Sequence, residues 1–145
     1  MRALIFLIVT MSMGLGAVSV QAQIRPEDRT MFRCLANAST ATTLTALGGE
    51  CAAPGAGRAF YITDITVGSS VVSGTAADSG PTIKYGTGGS CGTGTVTLWS
   101  TSIIANDTRT VQFSVPLKAA RNNELCWMDT PAGTKWITVT GYIAK

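Results

Sequence analysis

Turn-forming clusters interrupt this chain about once every dozen residues, a rhythm that suits short strands and little else. Gly48-Gly49, Asp78-Ser79-Gly80-Pro81, the glycine-rich run 86–94, Asn106-Asp107, Asn122-Asn123 and Pro131-Ala132-Gly133 supply the breaks. Between them lie segments rich in β-branched and aromatic residues, 60–67, 82–85, 95–99 and 135–143, and 124–128 reads as another short strand. Val111-Gln112-Phe113-Ser114-Val115-Pro116-Leu117 alternates strictly, which predicts Val111, Phe113, Val115 and Leu117 on one face. Pro116 cannot donate to a ladder, so it predicts a strand end or a sheet edge. The last segment sets Ile137, Val139 and Ile143 against Trp136, Thr138, Thr140 and Tyr142. Beyond the N-terminal apolar run no segment sustains a helical period, and the threonines of residues 40–47 favour strand over a helical turn. The expected fold is all-β: a disulfide-bonded, two-sheet antiparallel β-sandwich of jelly-roll type.

The N-terminus reads as an export signal. Met1-Arg2 gives a short positive start, residues 3–9 form an apolar run, and Val20-Gln21-Ala22 supplies a small-x-small cleavage pattern. The apolar run falls short of the 18 or so residues that a membrane span needs. Gln23 rather than Cys directly follows Ala22, which argues against a lipoprotein anchor. The expected organisation is therefore a signal peptide over residues 1–22 and one β-sandwich domain over residues 23–145. The polar stretch 23–33 is expected as an N-terminal arm, or as one helical turn around Pro26-Glu27-Asp28. The expected location is secreted or periplasmic, with no membrane span in the mature form.

Cys34, Cys51, Cys91 and Cys126 all lie beyond the signal, and an even count in an exported chain reads as disulfides. Three connectivities exist. Cys34–Cys51 with Cys91–Cys126 is favoured, because each closes a moderate loop between neighbouring strand-like segments. Zinc is a weak competitor, since the chain has no CxxC pair and no His at all. Loss of Arg2 with the signal lowers the formal charge from +3 to +2. The remaining basic residues are scattered, without the concentrated footprint that nucleic-acid binding requires.

No catalytic constellation emerges, and no metal or cofactor is expected. Gly88-Gly89-Ser90-Cys91-Gly92 has the GxSxG spacing of a nucleophile elbow, but that chemistry needs a following helix and a base to take the serine proton. Strand-like residues follow here, no His exists, and Cys91 is a disulfide candidate. The third glycine and the helix of a dinucleotide fingerprint are missing as well. Asp64, Asp78, Asp107, Glu124 and Asp129 form no calcium-loop pattern and read as turn residues and solvated strand positions. Asn37-Ala38-Ser39 and Asn106-Asp107-Thr108 satisfy the glycosylation sequon and so read as surface loops. Among Trp99, Trp127 and Trp136 the commoner fate is core packing. Trp136 is the best exposed candidate, since it falls opposite the aliphatic face of its strand. Trp136, Tyr142 and Tyr85 are thus the candidate ligand-binding residues.

The stretch 82–95, in which Tyr85-Gly86-Thr87-Gly88 leads into Cys91-Gly92-Thr93-Gly94, together with the later Leu125-Cys126, resembles small, largely uncharacterised jelly-roll-like β-sandwich proteins of bacteria and bacteriophages. The final Gly141-Tyr142-Ile143 is similar to the closing strand of jelly-roll modules on surface and virion proteins. The resemblance covers roughly residues 58–145, supports the Cys91–Cys126 pairing and implies no catalytic residues. An export signal is foreign to a virion protein assembled in the cytoplasm, which favours an exported cellular protein or a surface module.

The reading these features support is a non-enzymatic surface or structural module that acts by adhesion or assembly, with a homotrimer as the expected assembly. The alternative is a carbohydrate-binding module using Trp136 with neighbouring Tyr and Thr residues, its partner a glycan or a glycan-bearing surface. A His-independent hydrolase built on Ser90 or paired carboxylates is the remote third.

Overall fold

The structure, a computed structural model, describes residues 29–38, 45–70, 80–104, 106–129 and 134–145. The expected signal peptide, most of the proposed N-terminal arm, and Asp78 lie outside these residues. Among the described residues nine strands form two antiparallel sheets: β1 (Thr30–Ala38), β2 (Thr45–Ala46), β3 (Gly48–Gly49), β4 (Ala59–Ser70), β5 (Thr82–Thr87), β6 (Thr93–Ser100), β7 (Thr108–Lys118), β8 (Glu124–Met128) and β9 (Thr134–Ala144). The five-stranded sheet runs β3-β1-β9-β4-β7 and the four-stranded sheet runs β2-β8-β5-β6. With the two-residue β3 set aside, the remaining eight strands follow the double Greek-key order of a jelly roll. The residues 30–33, expected in an arm, instead open β1 and pair with β9 from Thr30↔Ile143 onward. Phe32 is the reason: its buried ring meets Phe60 edge-on at 4.8 Å and holds the segment to the sheet.

The core lies between the sheets. Phe32, Phe60, Ile62, Ile65, Val67, Ile137 and Val139 enter from the five-stranded sheet; Ile83, Leu125 and Trp127 enter from the other, with Ile103 beside them. A bulge sets the phase of β4. Its pairing with β9 steps from Ile62↔Gly141 to Asp64↔Thr140, leaving Thr63 unpaired. Even-numbered Phe60 and Ile62 point inward before the bulge, odd-numbered Ile65 and Val67 after it. Without that extra residue one of the two pairs would face water, because side chains alternate with period two.

The same place breaks the alternation expected of β7. Pairing with β4 jumps from Ile62↔Leu117 to Asp64↔Gln112, so residues 113–116 of β7 face Thr63 alone. Phe113 and Leu117 pack on the core, but Val115 is 77% exposed. The common face predicted for Val111, Phe113, Val115 and Leu117 is therefore wrong at Val115, which the bulge turns outward. Pro116 sits in this irregular stretch, and β7 is an edge strand, the position its proline requires.

Both disulfides are formed, in the favoured pairing. Cys34 of β1 bonds Cys51 with Cα atoms 5.6 Å apart, and Cys91 bonds Cys126 of β8 with Cα atoms 6.2 Å apart. Among the described residues no helix is long and apolar enough to cross a membrane. Two disulfides fit an oxidising compartment.

Candidate functional site

The two outer faces of the sandwich differ. On the four-stranded sheet the glycine-rich connection from β5 to β6 folds back as a short 3₁₀ turn, Gly89–Cys91, and its disulfide covers Cys126. This explains why Leu125, Cys126 and Trp127 are all buried in succession: two face the core and the one between lies under the loop. Glu124 holds that loop through its Oε1, which accepts the Cys91 N–H at 2.6 Å. Ser90 and Cys91 adopt left-handed backbone at φ 56° and 55°, and a strand follows, so the GxSxG spacing marks a pinned turn rather than a strand-turn-helix elbow. A shallow pocket of about 240 Å³ opens beside it, lined by Ala53, Gly86, Thr87, Gly88, Asn122 and Glu124. The sulfurs of Cys91 and Cys126 lie within 4.8 Å of the Glu124 carboxylate. Because the sulfurs are bonded to each other, a lone carboxylate is left, which is too small a donor set for a metal ion.

The outer face of the five-stranded sheet carries no such cover among the described residues. Strand register lays it out in rows. One row is Met31, Tyr142, Tyr61 and Lys118; another is Leu35, Thr138, Thr66 and Thr110; a third is Asn37, Trp136, Gly68 and Thr108. In the first row Tyr61 and Tyr142 stack face to face, centroids 5.0 Å apart and planes 5° apart. The Arg29 guanidinium lies 4.7 Å from the Tyr142 centroid and the Lys118 ammonium 5.3 Å from that of Tyr61. Cation, ring, ring and cation thus form a continuous stack in which the ring faces are already occupied.

Trp136 sits differently. A Cβ placed on Gly68 would fall inside its indole, at Cε2 and Cζ2, so the ring lies flat across the glycine backbone of the neighbouring strand. One broad face of the indole covers Gly68. The side chain remains 37% exposed, the share expected when the opposite face is open to solvent. Its neighbours by register are uncharged: Asn37 and Leu35 on one side, Thr138 along the strand, Thr66 and Thr108 on the other. Thr66 and Thr110 share a 3.0 Å hydrogen bond between their hydroxyls. Charged groups gather toward the opposite end of the face, at Arg29, Arg33 and Lys118.

The three candidate binding residues are therefore not brought together. Trp136 and Tyr142 share a strand and a face but lie six residues, about 20 Å, apart. Tyr142 is committed to its stack. Tyr85 belongs to the other sheet and packs against the core. Of the remaining tryptophans, Trp127 is buried and Trp99 packs partly buried on the core.

The acidic residues correct one expectation. Asp64 accepts from Thr63 Oγ1 at 2.6 Å, and Asp107 pairs with Arg109 at 2.9 Å. Asp129, expected at a solvated position, is instead buried and paired with the equally buried Lys135. The alternation of β8 sends Asp129 inward with Leu125 and Trp127, as β9 sends Lys135 inward with Ile137 and Val139. Asn37 of the first sequon stands in β1, opposite Trp136, rather than in a loop; Asn106 of the second is exposed in the turn before β7.

Comparison with protein-family models, curated proteins and solved structures finds no match to this chain. The class it defines is accordingly structural: a disulfide-bonded jelly-roll β-sandwich.

Proposed function

We propose that the chain is an exported, non-enzymatic adhesion module that holds a neutral glycan on the outer face of its five-stranded sheet, with Trp136 as the stacking platform. The observation that carries this reading is the indole of Trp136 laid flat over Gly68. A sugar ring offers an apolar C–H face and a rim of hydroxyls. The first matches an open aromatic face held rigidly at low entropic cost; the second matches Asn37, Thr66, Thr108 and Thr138 around it. The absence of charge among these neighbours selects a neutral chain over an acidic one.

The test is a titration of the oxidised protein with neutral β-linked hexasaccharides, read by intrinsic tryptophan fluorescence and by calorimetry. Saturable binding is expected, lost in Trp136→Ala with the near-ultraviolet dichroism of Trp127 and Trp99 retained, and kept in Tyr142→Ala. Failure of the wild type to bind any member of the panel, or equal binding by Trp136→Ala, refutes the reading.

A second reading is favoured by Met31 and Leu35, 69% and 53% exposed on the same face. Exposed apolar side chains on a flat sheet suit self-association as well as ligand binding. Light scattering separates the two: a trimeric mass that Leu35→Arg returns to monomer makes this face an assembly surface.

A further inference from the structure

Lys135 Nζ lies 2.5 Å from Asp129 Oδ2, inside the 2.7–2.9 Å usual for a charge-assisted N–H···O bond, and both side chains are 4% exposed. Asp129 Oδ1 is buried and accepts no hydrogen bond, the sole buried side-chain polar atom among the described residues in that position. A buried ion pair ordinarily depends on satisfying its remaining lone pairs, and this carboxylate leaves one oxygen unsatisfied.

We infer that Lys135 and Asp129 are the two halves of an intramolecular amide cross-link. For the bond to form, a proton passes along the contact from Nζ to Oδ2, leaving an amine beside an acid. Nζ then carries a free electron pair beside the Asp129 carboxyl carbon, with both groups fixed by neighbouring strand ends. Such fixed proximity raises the effective concentration of the amine by many orders of magnitude over a free one. Nζ bonds to Cγ and the Cγ–Oδ2 bond breaks. Of the three ammonium protons, two leave with Oδ2 as water and one stays on the amide nitrogen. Oδ1 becomes the amide carbonyl. No oxidant or cofactor enters the balance, and two buried formal charges disappear.

The position gives the bond a structural meaning. Asp129 follows β8 of the four-stranded sheet, and Lys135 lies in β9, the central strand of the five-stranded sheet. The amide would join the inner faces of the two sheets directly. Neither disulfide does this: Cys91–Cys126 stays on the four-stranded sheet, and Cys34–Cys51 ties β1 to the segment just after β3. Ser69, also buried, is the register partner of Lys135 on β4.

Mass spectrometry of the oxidised wild-type protein tests this without relying on a variant that folds. The expected intact mass is lower by one water than the disulfide-bonded sequence requires. After reduction and trypsin digestion, residues 122–145 should appear as one peptide, because an amidated Lys135 is not a trypsin site. Lys135→Arg should restore both the missing water and the cleavage after residue 135. A full intact mass with clean cleavage after Lys135 overturns the inference. So does a lost water with cleavage at Lys135 retained, since the water would then have left elsewhere.

Discussion

Replacing Gly68 by Ala isolates the contact on which the stacking platform depends. The new Cβ occupies the volume of the indole, so Trp136 must rotate off the strand. At 37% exposure the side chain has lost about 160 Å² of a tryptophan's roughly 250 Å² to its surroundings. If half of that is the face lying on Gly68, lifting the ring returns about 80 Å² to water, worth about 2 kcal/mol at 25 cal/mol per Å². Alanine recovers about 0.5–1 kcal/mol of backbone entropy that glycine loses in a strand. The expected net effect is a destabilisation of about 1 kcal/mol, or roughly 4 °C in Tm for a domain of this size. Urea denaturation and thermal scans of wild type and Gly68→Ala measure it, and tryptophan emission reports the displaced ring. Binding of a neutral hexasaccharide should fall at least tenfold in the same variant. A Gly68→Ala protein as stable as wild type or more so, with unchanged emission, refutes the geometry of the platform and with it the function argued from it.

Three further outcomes follow from the packing. Removing Cys91–Cys126 as a double alanine variant should cost about 4 kcal/mol and removing Cys34–Cys51 about 3 kcal/mol, since their sequence separations are 35 and 17 residues; urea midpoints should rank them in that order. Lys135→Met, which leaves the buried Asp129 carboxyl without its partner, should cost about 3–5 kcal/mol, and adding Asp129→Leu should recover the part owed to the stranded carboxyl but not the part owed to the cross-link. Val115→Thr should change stability by less than about 0.5 kcal/mol, whereas a core position would lose several times more; a large loss would mean that Val115 faces the core after all.

Fold class was legible because its signals are local. Strand composition, turn residues and the proline of β7 each point to short antiparallel strands, and cysteine spacing between adjacent segments was enough to favour the observed pairing. What escaped reading was set by register. Thr63 carries no mark in Tyr61-Ile62-Thr63-Asp64-Ile65 that identifies it as the bulged residue, yet it reverses the inward phase of β4 and turns Val115 out of the core. Trp136 could be singled out from the period of its own strand. Its partnership with Gly68, almost seventy residues upstream, depends on two strands meeting in one register, and a glycine flanked by Val67 and Ser69 reads simply as the end of a strand. Tyr142 looked equivalent to Trp136 until the same register set Tyr61 beside it. The polarity of Asp129 suggested exposure, because charged residues are rarely buried without a partner, and that partner, Lys135, stands in β9 of the other sheet.

The margins of the two sheets carry a separate consequence. The five-stranded sheet ends in β3, two residues long, and in β7, interrupted by its bulge and Pro116; the four-stranded sheet ends in β2, again two residues, and in β6, whose pairing with β5 slips at two places. Each border is too short or too irregular to template a further strand, a common natural guard against edge-to-edge aggregation. A concentrated solution of this protein should therefore resist fibril growth, although the chain is only 13% charged and exposes Val96 and Val115. The irregularities that obscured the strand register in the sequence are also what keeps one copy from extending the sheet of the next.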